Sequence, residues 1–420
     1  GEVADIRKRE SIVRVRLYCA QAGRIAGIGQ LVQIDHGRGF GRDPLLDEVG
    51  ADKPGSPGHD DASLCHAAAA KSRLSKGRHS RDNRASSRTR NPNRVPRILL
   101  IKTSSMGDVV HNLPVVGDLR ASLPDCRIDW VVEDAFSAIP RLHPGVDRVI
   151  PVSIRRWRKH PFAARTRREF SALRSCLRQT RYDEVIDTQG LLKSALLAWM
   201  ANGRSHGLDW KSSREPLRVF YDKVYAVSGS AHAVQRNRSL ASKALGYALS
   251  ATPEYGISAR PESTAPLEAA FPVKDAGQFA VLLHATSATR KEWPESHWVR
   301  LGETLAARGM ISVLPSGNAE ERQRSERLAA RIPGARVSPA LDLDQLATLM
   351  SQARIIVGVD TGLTHLAVAL GRPTIGLYRA TDPAATGLYG SALAMNLGGI
   401  GMTPSIDEVA DATKRLLEQI

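Results

Sequence analysis

Four apolar residues, Ile98 to Ile101, stand between Arg97 and Lys102, and the character of the chain changes at once after them. A short continuous apolar run bounded by polar residues reads as a strand buried on both faces of a parallel sheet. Lys102-Thr-Ser-Ser-Met-Gly-Asp108 then makes a tight polar turn, and Val109, Val110, Leu113 and Val116 recur at helical spacing. The spacing predicts a strand over 97–102 and a helix over 107–122, with Gly107 and Asp108 at the helix start. In an open α/β sheet, ligand sites form at the carboxyl ends of strands. Asp108 is therefore a candidate for chemistry. It is equally a candidate helix cap, favoured by the positive end of the helix dipole. The pattern alone leaves both roles open.

The same alternation continues. Strands are predicted at 127–132, 146–152 and 183–187, with helices near 166–180 and 233–249. The stretch 251–277 is rich in Pro, Ala, Ser and Glu and reads as a linker. Beyond it, strands at 279–283, 311–314, 354–357 and 373–377 alternate with helices at 295–308, 344–352, 363–370 and 405–419. Strand and helix at this pitch mean parallel βαβ units. At 420 residues the chain is long enough for two domains. The expectation is two doubly wound α/β domains, 97–250 and 278–404, facing one another across a cleft, with a terminal helix at 405–420.

Residues 1–96 differ from the rest. Lys71, Arg73, Lys76, Arg78, Arg81, Arg84, Arg88, Arg90 and Arg94 crowd into one segment against the single acid Asp82. Such a segment buries too little apolar surface to offset its ordering entropy, so a disordered, low-complexity extension is expected. It feeds the net charge of +16, so that charge does not drive the functional reading, and no nucleic-acid partner is expected. Cys19, Cys65, Cys126 and Cys176 show no paired spacing, which argues against a zinc site or a disulfide framework. No run approaches the length of a membrane span, and the first residues lack the order of a secretory signal.

In the second half, Asp360-Thr361-Gly362 lies between a predicted strand and helix, with His365 one turn in. Amides exposed at a helix N-terminus bind anions. Gly362 would let a phosphate approach the backbone, and Thr361 adds a hydroxyl donor. The pattern reads as a diphosphate cradle or as a plain capped turn, and His365 as a phosphate ligand or a packing residue. Ser287 to Lys291 makes another loop at a strand end, and Lys291 is a compact charge suited to phosphate. Glu321 suits ribose hydroxyls or, alternatively, the first turn of a helix. No Gly-x-Gly-x-x-Gly follows a strand, and no Walker or His-Glu-x-x-His motif occurs. Asp342-Leu343-Asp344 formally matches a metal-binding Asp-x-Asp, but its place before a helix favours capping. A metal-independent site is expected.

Six motifs now stand in order: Lys102-Thr-Ser-Ser-Met-Gly-Asp108, Ile154-Arg-Arg-Trp-Arg-Lys159, Asp187-Thr-Gln-Gly-Leu-Leu-Lys193, Asp209-Trp210 with Arg214-Glu-Pro216, His284-Ala-Thr286 with Lys291-Glu-Trp-Pro294, and Val359-Asp-Thr-Gly-Leu-Thr-His365. Together they closely resemble the heptosyltransferases of glycosyltransferase family 9, over about 97–395. The resemblance implies the GT-B fold, two Rossmann-like domains with acceptor bound by the first and donor by the second. It implies transfer of L-glycero-D-manno-heptose from ADP-heptose, a substrate rather than a cofactor, to the Kdo of Kdo2-lipid A. It also implies peripheral attachment to the anionic cytoplasmic face of a Gram-negative inner membrane. Asp108 matches the family's general base. Thr286, Ser287, Lys291, Glu321, Asp360, Thr361, Gly362 and His365 match donor positions. Ser105, Gly107, Arg155, Arg156, Arg158, Lys159, Lys193 and Arg214 fall where the anionic acceptor would dock. The alternatives are a sister enzyme adding a second heptose, or a non-catalytic two-domain nucleotide-binding protein. The chain departs from the family at Arg379-Ala380, where Gly-Pro is usual, and at Ala288 and Thr289.

Overall fold

The apolar run at 98–101 does become the centre of a sheet. Leu99, Leu100 and Ile101 are fully buried, and side chains of this kind each stabilise by roughly 1.5–3 kcal/mol through burial. The structure, a computed structural model, describes residues 95–260 and 278–420. The expectations for the basic segment at 71–94, the rest of 1–94 and the linker at 261–277 lie outside the described residues.

In chain order the first half contains β1 (Arg97–Ile101), α1 (Met106–Val110), α2 (Leu113–Ser122), β2 (Arg127–Glu133), α3 (Ala138–Arg141), β3 (Arg148–Val152), α4 (Ile154–Lys159), α5 (Ala164–Gln179), β4 (Arg181–Asp187), α6 (Leu192–Met200), β5 (Asn202–Leu208), β6 (Lys223–Tyr225) and α7 (Ala233–Leu245). The second half contains β7 (Phe279–Leu283), α8 (Glu295–Ala306), β8 (Ile311–Leu314), α9 (Ala319–Ala329), β9 (Arg336–Val337), α10 (Leu343–Gln352), β10 (Ile355–Val359), α11 (Gly362–Ala369), β11 (Thr374–Tyr378), α12 (Pro383–Thr386), β12 (Ala394–Gly398) and α13 (Ile406–Glu418).

The strands form two six-stranded sheets, ordered β3-β2-β1-β4-β5-β6 and β12-β11-β10-β7-β8-β9. All their pairings are parallel. Within each half the order is the same, and it reverses once, between β1 and β4 in the first sheet and between β7 and β10 in the second. Those reversals open the crevices in which doubly wound folds bind ligands. The fold is the two-domain GT-B arrangement.

The predicted helix over 107–122 is in fact two helices, broken at His111 and Asn112. Pro114 explains the break: it has no amide proton, and its ring collides with the carbonyl four residues earlier. The segment 251–260 is also tighter than a linker. Tyr255 is buried, and its hydroxyl donates to the Tyr389 carbonyl at 3.0 Å. Arg260 donates to the Arg141 carbonyl at 2.7 Å. The terminal helix α13 buries Val409, Ala412 and Leu416 in the same cluster as Trp293, Trp298 and the β7 residues Ala280 and Leu282.

Helices α2 and α7 are joined by a buried ion pair. Arg238 is fully buried and grips both carboxylate oxygens of Asp118 at 2.8 and 2.8 Å, with further bonds to the carbonyl and hydroxyl of Ser250. Removing one partner of such a pair strands the other charge, at a cost of about 3–5 kcal/mol. Asp118→Ala should lose stability on that scale in urea unfolding; a loss under about 1 kcal/mol would show the pair to be dispensable.

Candidate active site

On the first domain the site grows from the neighbouring ends of β1 and β4. Gln189, just past β4, clamps the loop after β1: its side-chain oxygen accepts from the Thr103 and Ser104 amides at 2.8 and 3.1 Å, and its amide donates to the Ser104 carbonyl at 2.5 Å. Beneath the loop, buried Lys102 donates to the Thr188 carbonyl at 2.9 Å and the Asn237 side chain at 3.3 Å. Burial lowers the Lys102 pKa, against the attraction of Asp108 and Asp187.

Asp108 sits in the first turn of α1. Its Oδ2 accepts from both the amide and the hydroxyl of Ser105, each at 2.9 Å. The reciprocal pattern is a capping box. Capping therefore occupies one carboxylate oxygen, and Oδ1 has no hydrogen-bond partner among the described residues. Asp108, Ser105 and Gly107 all line the cleft between the sheets.

The basic residues expected at the acceptor side divide. Arg155, Arg156 and Arg214 line the cleft; Arg158, Lys159 and Lys193 are not among its lining residues. Arg156 is tied to Glu169 at 2.8 Å. The Arg155 guanidinium lies 5.3 Å over the Phe136 ring. Lys193 donates to the Ser104 hydroxyl at 2.7 Å, directly behind the Asp108 turn, and burial lowers its pKa.

On the second domain the loops after β7 and β10 meet, as the strand order requires. Lys291 pairs with Asp360 at 2.7 Å, the Thr381 hydroxyl donates to the same carboxylate oxygen at 2.7 Å, and the Thr286 hydroxyl donates to the Asp360 carbonyl at 3.2 Å. Burial pushes the Asp360 carboxyl up, but His365, Lys291 and Thr381 outweigh it and hold the group well below the usual carboxylate range. Thr361 precedes α11 with no side-chain cap bond, and its hydroxyl has no hydrogen-bond partner among the described residues. Ser287 is exposed at the cleft. Glu321 also lines the cleft, but its carboxylate closes the start of α9, accepting from the Gly317 amide at 2.6 Å and the Asn318 side chain at 2.9 Å. Asp342 caps α10 through the Gln345 amide at 2.8 Å, as its position suggested.

The two halves of the site meet directly. A Cβ placed on Gly362 would lie 2.5 Å from Met106 Cβ, and one on Gly107 would lie 3.2 Å from His365 Cδ2. Gly362 was expected to leave room for phosphate; it also leaves room for α1. His111 Nε2 lies 3.2 Å from His365 Nδ1, and His365 Nε2 lies 3.7 Å from Asp360. One of the two facing ring nitrogens, His111 Nε2 or His365 Nδ1, donates to the other across the domain boundary. Asn237 donates to the His111 carbonyl at 3.2 Å. Gln189, Lys102, His111 and Asn237 were not singled out from sequence as site residues. Lys102 and Gln189 stood inside recognised motifs, at strand ends, and that position was the available signal.

His232 adds a second bridge. Its Nδ1 accepts from the Val234 amide at 3.2 Å and caps α7, so its Nε2–H donates to the Gly387 carbonyl of the other domain at 3.1 Å. Its ring stacks on Tyr389 with centroids 4.3 Å apart. Burial, with a smaller contribution from His365, lowers its pKa to about 4. The unfolded chain therefore binds the extra proton first. The stability His232 contributes is complete above its unfolded value of about 6.5 and is lost as pH falls toward 4. In urea unfolding between pH 7.5 and 5, wild type should lose ground to His232→Gln by up to about 1.4 kcal/mol per pH unit below 6.5. A difference independent of pH would refute this protonation state.

The family description "Glycosyltransferase family 9 (heptosyltransferase)" matches residues 170–414. The chain is 44% identical to lipopolysaccharide heptosyltransferase 1 of Escherichia coli strain K12 over 297 residues, covering 70% of this chain and 91% of the relative. The solved structure of the E. coli heptosyltransferase WaaC with ADP superposes with a TM-score of 0.69 at 41% identity, covering 77% of this chain and 99% of that one. The same enzyme with ADP-2-deoxy-2-fluoro heptose gives a TM-score of 0.66 over the same shares. This chain belongs to glycosyltransferase family 9, the heptosyltransferases.

Proposed function

We propose that the chain is a lipopolysaccharide heptosyltransferase of the first type, moving L-glycero-D-manno-heptose from ADP-heptose to the Kdo of Kdo2-lipid A. The observation that carries this reading is the apposition of a cleft-facing carboxylate, Asp108, with an anion-binding helix start at Thr361-Gly362. It is supported by relatives named for the same activity and by similar structures holding ADP and an ADP-heptose analogue.

In the reaction, the unpartnered Oδ1 of Asp108 takes the proton of a Kdo hydroxyl. The hydroxyl oxygen attacks the anomeric carbon of heptose from the face opposite the leaving group, so the configuration inverts. The bond to the β-phosphate oxygen breaks and ADP leaves with that electron pair. Lys291, the Thr361 hydroxyl and the first amides of α11 stabilise the departing charge, with no metal ion. Arg155, Arg156 and Arg214 attract the anionic acceptor along the cleft. Arg158, Lys159 and Lys193 extend that positive field. Among the described residues no helix is long and apolar enough to cross a membrane; the chain is proposed to work at the cytoplasmic face of the inner membrane as a peripheral protein.

The decisive experiment incubates the purified chain with ADP-heptose and acceptors that carry Kdo alone or Kdo already bearing one heptose. ADP release that requires the Kdo acceptor supports the reading. Release only with the heptosylated acceptor identifies the sister enzyme, and binding without release identifies a nucleotide-binding protein. Asp108→Asn keeps an acceptor for the Ser105 bonds and removes the base, so turnover should fall about 10²–10⁴-fold with ADP-heptose binding retained. Undiminished turnover would remove Asp108 from the mechanism. Lys291→Ala should weaken donor binding in calorimetry, and unchanged affinity would exclude Lys291 from the donor site.

A further inference from the structure

Arg379 stands where the family resemblance implies glycine, and the proposed mechanism makes no use of it. It directly follows β11, which pairs with β10, and the Asp360 amide bonds the Leu377 carbonyl at 3.1 Å. Arg379 therefore lies beside the start of the 360–365 loop. Two residues on, Thr381 holds the Asp360 carboxylate. The Arg379 side chain is half-buried and lines the cleft with Lys291, Asp360, Thr361 and Gly362. Its Nε donates to the Thr403 hydroxyl at 2.8 Å, and its Nη1 donates to the Glu292 carbonyl, one residue past Lys291.

Both acceptors are neutral. Among the described residues no carboxylate pairs with Arg379, and its Nη2 has no hydrogen-bond partner. Lys291 is in the opposite condition, because Asp360 already neutralises it at 2.7 Å. An incoming diphosphate would meet a compensated lysine and an uncompensated arginine. Two bonds to neutral groups fix the plane of that guanidinium without cancelling its charge. A planar fork with free N–H groups is well matched to phosphate oxygens.

We propose that Arg379 is a further phosphate ligand of the nucleotide donor. The assignment rests on the reading that an ADP-linked donor occupies the 360–365 loop. A glycine at this position would offer no side chain to the donor's phosphates.

The test is calorimetric titration of the full chain with ADP, AMP and adenosine, for wild type, Arg379→Gly and Arg379→Lys, at low and high salt. Arg379→Gly should lose about tenfold in ADP affinity, equivalent to 1.4 kcal/mol, and lose affinity for AMP as well, with adenosine binding unchanged. The salt dependence of ADP binding should flatten in Arg379→Gly, because a charged contact to phosphate has been removed. Arg379→Lys should recover part of both effects. A loss shared by adenosine would mean that Arg379 only ties the 292 and 403 loops together, and would overturn the assignment. So would Arg379→Gly binding ADP as tightly as wild type. If Arg379→Gly misfolds, Arg379→Lys decides the matter: a lysine variant that loses ADP and adenosine affinity by the same factor refutes the phosphate role, and one that loses ADP affinity with adenosine binding unchanged supports it. A wild-type chain that binds none of the three ligands overturns the donor reading itself, and the assignment with it.

Discussion

Two glycines let the N-terminal ends of α1 and α11 touch. Gly107 gives way to His365 and Gly362 gives way to Met106, so each helix start is notched to receive the other. The order of each sheet delivers these ends to one place, because α1 follows a strand at the reversal of the first sheet and α11 follows a strand at the reversal of the second. Everything proposed for the cleft depends on that contact. It sets a carboxylate on one helix opposite exposed amides on the other, across a gap that no flexible loop has to span.

Beneath the contact runs a polar seam. From Lys102 it passes through Asn237 and the His111 backbone, then through the paired rings of His111 and His365, to Asp360 and Lys291. Burying so many polar groups at a domain interface is costly unless each is matched. Among the described residues, His111 Nδ1 is the one seam atom left without a partner. Burial keeps His111 and His232 below their ordinary pKa values, and for His232 the Val234 amide and the Gly387 carbonyl fix which nitrogen accepts and which donates.

The strands that sit deep in the sheets were legible in the sequence, because burial on both faces demands uninterrupted apolar runs such as 98–101 and 279–283. The missed strands lie toward the edges. β5 carries a buried histidine, His206, whose partners Glu184 and Tyr225 lie on the flanking strands, and β9 has only two residues. No local pattern marks either one. In the site, the turn at 102–108 and the loop at 360–365 were readable because strand ends and helix starts are local features. The histidine bridge was not readable, since His111 and His365 meet only through packing between residues 254 positions apart. Pro114 announced the break after α1 in plain view; the strength of the apolar periodicity masked it.

The segment 251–260 ties the two domains together away from the helix contact. Within a few residues it is pinned to both domains, by Tyr255 to the carbonyl of Tyr389 and by Arg260 to the carbonyl of Arg141. Pro253 also presses on Gly390, and the Glu254 carbonyl faces Gly117. If the sheets turn relative to one another, displacement is smallest near these pins and grows with distance from them. A change in the angle between the sheets would therefore have to preserve or break the Tyr255 bond to Tyr389.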